Sequence, residues 1–143
     1  MALAPPRCAG HTGGMDHFTP VVALHAGAAL LALGVGAFVF LRRKGTPAHR
    51  WMGRTWAALM LAVAVSSFWI TGKDGQYSWI HGLSVFVTAG VPFAVVLAAT
   101  GRVSHHRRLM TGMYIGGLVV AGLFTLLPSR LLGRMLWSAV GVL

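Results

Sequence analysis

Between Pro20 and Leu41 the sequence carries no charged residue, and three further apolar runs follow: Trp56–Thr71 behind a basic lead-in, Trp79–Thr100 and Leu109–Leu127. A hydrocarbon core of about 30 Å is spanned by roughly 20 helical residues, so each run is a candidate transmembrane helix. Composition agrees with that reading. Only 10% of the 143 residues are charged, against about 25% in an ordinary soluble domain, and there are nineteen Gly but only two acids, Asp16 and Asp74. The formal charge of +10 does not indicate a nucleic-acid binder, because the cations sit in short clusters between apolar runs instead of covering a polar surface. A single cysteine, Cys8, excludes an internal disulfide framework.

The expected architecture is all-α: an integral membrane four-helix bundle built from two two-helix repeats, with a short C-terminal interfacial helix. Residues 1–18 read as a flexible N-terminal extension and 19–128 as the transmembrane domain, with helices at about 20–42, 47–71, 79–100 and 105–127. Residues 129–143 read as an amphipathic segment containing Arg130 and Arg134, too short to span the bilayer. Thr19-Pro20 and Thr46-Pro47 have the pattern of an N-cap followed by proline in the first turn; Ser78 and Ser104 are the corresponding caps for the other two helices. Pro92 is expected to kink helix three. Residues 1–14 contain no apolar core of signal-peptide length, and Met15 offers an alternative start.

Loop charges set the expected orientation. Arg42, Arg43, Lys44, Arg50 and Arg54 lie between helices one and two, and Arg102, Arg107 and Arg108 between three and four, whereas Arg7, Lys73, Arg130 and Arg134 fall on the opposite side with both acids. Eight cations against four place the His-Arg loops in the cytoplasm and the N-terminus outside, in a bacterial inner membrane. Trp51 and Trp56 then form an inner aromatic belt, and Trp69, Tyr77 and Trp79 an outer one.

The basic loops "KGTPAHRWMGR" and "GRVSHHRRLM" resemble each other. Shifting the chain by 56 residues places His25 on His81, Gly34 on Gly90, Gly45 on Gly101 and His49 on His105; a shift of 57 places His49-Arg50 on His106-Arg107 and Lys73 on Arg130. Two units of the same orientation relate by a pseudo-twofold axis along the membrane normal. His25 and His81 then share one depth near the outer face, and His49 and His106 share another near the inner face.

Paired imidazoles near each membrane surface suit bis-His ligation of haem b, with iron taking axial histidines from facing helices. The sequence assigns one haem to His25 and His81 on the outer side, and a second to His49 and His106. Arg50, Arg54, Arg107 and Arg108 are candidates for the inner propionates, and Lys73 and Arg130 for the outer ones. Gly27, Ala28, Gly34 and Gly36 in helix one, with Gly82, Ser84, Ala89 and Gly90 in helix three, are the small residues expected to leave space for the macrocycle. Such a protein would pass electrons across the membrane, between a quinone and a redox partner on the outer side, and a Gly-rich bundle this small is able to form a homodimer.

The alternatives are a non-enzymatic membrane subunit or scaffold whose histidines hydrogen-bond between helices, and a metal or small-ligand carrier. For the carrier, Cys8, His11, Met15 and His17 offer soft donors suited to copper within ten residues. Ordinary roles compete at each position: interfacial histidines join helices, small residues bring them close, and arginines carry the positive-inside signal. No acid lies inside a predicted span, which argues against a cation channel or a carboxylate-based proton-coupled transporter. A nucleotide-binding loop, a Ser-His-Asp order and a His-Glu zinc signature are also missing, so a self-contained hydrolase is not expected.

The motifs "KGTPAHRWMGRTW", "SSFWI", "IHGLS" and "HRRLMTGMYIGGLVVAGLFTLLPSR" resemble an uncharacterised family of small bacterial predicted membrane proteins, over about Val21 to Arg134. The family's repeated histidines correspond to His25, His49, His81 and His106. The resemblance implies a four-helix membrane fold and supplies no activity. The layout is also similar to di-haem b-type cytochromes of the ascorbate-reducible and ferric-reductase kinds, although in those proteins the ligands lie deeper inside the helices than His49 and His106 do.

Overall fold

The computed structural model describes residues 20–70, 80–128 and 130–141, and every regular element among them is helical. In chain order these are α1 (Pro20–Leu41), α2 (Pro47–Ser66) continuing into a tight 3₁₀ turn (Ser67–Trp69), α3 (Ile80–Ala99), α4 (Val103–Thr125) and α5 (Leu131–Ala139). Helices α1, α3 and α4 are each long and apolar enough to cross a membrane. The first two turns of α2 are polar, with Arg50 and Arg54, and its apolar part begins at Trp56.

Local chemistry sets the helix ends. Thr46 adopts extended backbone (φ −73°, ψ 157°), its Oγ1 accepts from the His49 N–H at 3.2 Å, and Pro47 occupies the first turn, as the Thr-Pro pattern leads one to expect. At the other end of α2 the helix stops at Ser66 instead of reaching residue 71. Ser66 and Ser67 each return their hydroxyl to a carbonyl three residues back, Val63 and Ala64, and the backbone tightens into the 3₁₀ turn. Adjacent serines compete in this way with the helical ladder. Helix α3 ends at a Schellman motif: Gly101, left-handed at φ +79°, donates to Ala98 O, while the Arg102 N–H closes onto Leu97 O at 2.8 Å. The chain turns directly from that motif into α4, which therefore starts at Val103 with no side-chain cap, and Ser104 does not take the capping role. Gly45, the residue matched to Gly101 by the 56-residue shift, is also left-handed, at φ +83°.

Helix α1 packs on α2 and on the middle of α4, while α3 packs on α2 and α4, so α1 and α3 lie on opposite sides of the assembly. Each helix buries a stripe at helical spacing. On α3 the stripe is His81, Ser84, Val87, Gly90, Val91, Ala94 and Leu97; α2 contributes Trp56, Ala57, Met60 and Ala64, and α1 contributes Ala32 and Gly36. Met60, Met113 and Val91 fill the centre. The outward surface of the apolar helices carries leucine, valine and phenylalanine, including Leu24, Leu30, Phe86 and Phe93, as a lipid-facing surface requires.

The middle of α4, Met113–Val120, is wound as a π-helix. Tyr114 in this segment reaches α1, donating its hydroxyl to Leu33 O at 3.1 Å and lying 5.0 Å from the Phe40 ring. Helix α5 folds against the end of α4, with Trp137 Nε1 donating to Leu126 O at 3.0 Å.

The small residues do not leave the space expected of them. A Cβ at Gly36 would fall 2.5 Å from both Trp56 Nε1 and Tyr114 Cε2, and one at Gly90 would fall 3.0 Å from Met113 Sδ, so these glycines receive large side chains. Gly27, Gly34, Gly82 and Ala89 lie off the buried stripes and face outward. Of the eight, Gly36, Ser84 and Gly90 are buried and Ala28 is half-buried.

Candidate functional site

The inward stripe of α1 begins with His25, and that of α3 begins with His81. The end of α2 lies between them. His25 Nδ1 is 2.9 Å from Ser66 Oγ, and Ser66 donates its own hydrogen to the Val63 carbonyl at 3.0 Å. A hydroxyl with its one hydrogen committed can only accept from the ring, so the network assigns the proton to His25 Nδ1 and leaves a lone pair on Nε2. The next residue, Ser67, bonds Ser84 Oγ at 2.6 Å, one helical turn beyond His81. The residue after that, Phe68, holds its ring 6.3 Å from the His81 imidazole, which is buried at 8% exposure. Three consecutive residues thus link the His25 helix to the His81 helix.

At the basic end of the helices, His49 and His106 sit in the first turns of α2 and α4. His106 Nδ1 lies 2.7 Å from the Ala94 carbonyl. A carbonyl can only accept, so Nδ1 carries the proton and Nε2 again keeps its lone pair. The buried His49 Nδ1 has no hydrogen-bond partner among the described residues. His49 precedes the apolar part of α2. Burial first, and then repulsion from His106 and Lys44, lower its pKa from 6.5, opposed by the nearby Val39 carbonyl. His106 is thus within electrostatic range of His49. His105, the match at the 56-residue shift, is exposed on the other side of the turn, 3.4 Å from Ser104 Oγ.

Arg50, Arg54, Arg107 and Arg108 are all exposed. The Arg54 guanidinium lies 5.4 Å from the Trp51 ring centre, and Arg107 and Arg108 line a polar groove with Ser104, Thr111 and Gly112. The described residues contain no Asp or Glu, so none of these cations has a carboxylate partner there. No group of three or more His, Cys, Asp or Glu gathers among the described residues to hold a metal ion. The N-terminal donors Cys8, His11, Met15 and His17 lie outside the described residues, as do Thr19, Lys73, Tyr77, Ser78, Trp79 and both acids.

Sequence reasoning picked out the histidines and missed the serines that position them. The signal was the "SSFWI" stretch itself: two adjacent serines inside an otherwise apolar run, where each hydroxyl needs a partner.

The model of a family described as "Predicted membrane protein (DUF2306)" matches residues 22–136. No curated protein and no solved structure matches the chain.

Proposed function

The chain belongs to this family of predicted membrane proteins, and from its imidazole geometry we propose that it is a transmembrane haem b protein that passes electrons across the bilayer. One observation carries the reading. His25 and His106, at opposite ends of the helices, are each held through Nδ1 by an oxygen acceptor with Nε2 left as a lone pair. Histidines that bind metals are oriented in this way, with the second nitrogen tied to a fixed acceptor. Two imidazoles are too few for a bare ion, which takes four or more donors, and they suffice for an iron that already has four equatorial nitrogens.

His25 and His81 would hold the haem at one end, with His49 and His106 forming the second site. His81 and Ala94, which fix the two levels on α3, are thirteen residues apart, or roughly 20 Å along the helix. Bound haem would supply reversible one-electron chemistry; the chain would supply the His25, His81, His49 and His106 ring nitrogens to hold it, their orientation and a packed centre that excludes water. Arg50 and Arg54 would reach propionates from the interface. In this reading α2 is a fourth span, the two helix pairs are repeats, the basic end faces the cytoplasm of a bacterial inner membrane, and the electrons pass between a quinone and an acceptor on the outer side.

A second reading is favoured by the close packing around Gly36, Gly90 and Met60. In it the same hydrogen bonds simply tie α1 to α2 and α3 to α4, and the protein is a subunit or scaffold. Absorption spectra and iron content of full-length protein from haem-replete cells separate the two. The haem reading expects a reduced b-type spectrum that His25→Ala diminishes; a colourless, iron-free protein contradicts it.

A further inference from the structure

We propose that the basic end of the α1–α4 crevice is a binding site for an anionic phospholipid. The proposal stands independently of any haem. Two adjoining surfaces define it. An apolar groove is lined by Ala37, Phe40 and Leu41 of α1 and by Thr111, Tyr114 and Ile115 of α4. A polar groove beside it is lined by Ser104, Arg107, Arg108, Thr111 and Gly112. Thr111 belongs to both, so a shallow apolar groove adjoins two guanidinium groups and the hydroxyls of Ser104 and Thr111. Lys44, whose Nζ donates to the Phe40 carbonyl at 2.6 Å, adds a cation at the same end of α1.

Charge selects the occupant. The described residues contain no carboxylate, so the countercharge for Arg107 and Arg108 is not supplied by the helices that surround them. A phosphodiester at headgroup depth satisfies guanidinium donors in the geometry they prefer, and basic pockets between helices at a membrane surface recognise such groups. The apolar groove accounts for an acyl chain. A soluble phosphate would leave that groove without a function, and a zwitterionic lipid would bring its own cation next to the arginines. These considerations assign Arg107 to lipid in place of a haem propionate.

The test is native mass spectrometry on the full chain in neutral detergent, titrated with phosphatidylglycerol or with phosphatidylcholine of the same acyl chains. Wild type should bind phosphatidylglycerol on the order of tenfold more tightly, given the attraction that each basic side chain near a headgroup adds. The double variant R107Q/R108Q should lose that preference, whereas R50Q/R54Q, which removes equal charge from α2, should keep it. Ala37→Trp fills the apolar groove without touching the arginines and should weaken both lipids. Glycerol phosphate should fail to compete. Equal binding of the two lipids by wild type, an equal loss in R50Q/R54Q, unchanged binding in Ala37→Trp or competition by glycerol phosphate would each overturn the proposal.

Discussion

The two histidine clusters are built from different materials. At the His25 end, side chains hold side chains: Ser66 receives His25, and Ser67 bonds Ser84 beside the buried His81. At the basic end a main-chain carbonyl, that of Ala94, holds the His106 ring, while His49 Nδ1 is buried without a hydrogen-bond partner among the described residues, beside exposed arginines. A cluster made of side chains can be dismantled one residue at a time. One held through a main-chain carbonyl is fixed by helix position and yields only when a histidine itself is changed.

The largest expected effect falls on the histidines. On the proposed haem reading, His25→Ala and His81→Ala should each remove the low-spin b-type signal of their end while leaving that of the His49–His106 end intact, read by redox difference spectroscopy. Next comes a contrast between two glycines on α1. Gly36→Ala drives a methyl into Trp56 and Tyr114 and should cost about 1–3 kcal/mol. Gly34→Ala meets nothing within 4 Å and should be neutral or stabilising by about 0.5–1 kcal/mol. Thermal unfolding in detergent measures both, and equal effects would show that packing at Gly36 is not close.

A smaller effect separates the clusters themselves. Ser66→Ala removes the acceptor for His25 Nδ1 and should cost about 1 kcal/mol, with a shifted redox midpoint at that end alone. An unchanged midpoint would mean that Ser66 does not orient the ring. The smallest effect is that of pH on the basic end. The folded pKa of His49 lies below 6.5, so the unfolded chain binds more protons as pH falls. Its contribution to stability is thus present above about pH 6.5 and is lost below it. His49→Gln should flatten that part of the melting-temperature profile between pH 7.5 and 5.5; a slope unaffected by the substitution would assign it to another group.

The apolar runs made the helices legible, and Thr46-Pro47 located one start within a residue, because capping depends only on neighbours in sequence. The inward face was less legible, because α1 and α3 are apolar on almost every side; in the structure His25, Ala28, Ala32 and Gly36 line it at helical spacing, and so do His81, Ser84 and Val87. That same spacing excludes Gly27, Gly34 and Gly82 from the interior, although their small size suggested a cofactor slot. Early termination of α2 at Ser66 depends on which carbonyl each serine chooses, and that choice is settled by His25 and Ser84 on other helices. The start of α4 depends on the Schellman closure at Gly101, which supersedes the Ser104 cap. The π-helical segment at Met113–Val120 has no signature that periodicity alone reveals.

Low-temperature EPR of the ferric protein tests the central claim most directly, because it reads the axial ligands of the iron. The account predicts a low-spin signal from bis-imidazole iron in the wild type, with the component from the His25 end becoming high-spin or vanishing in both His25→Ala and His81→Ala. A protein without haem, or a low-spin signal unchanged in either variant, would contradict it.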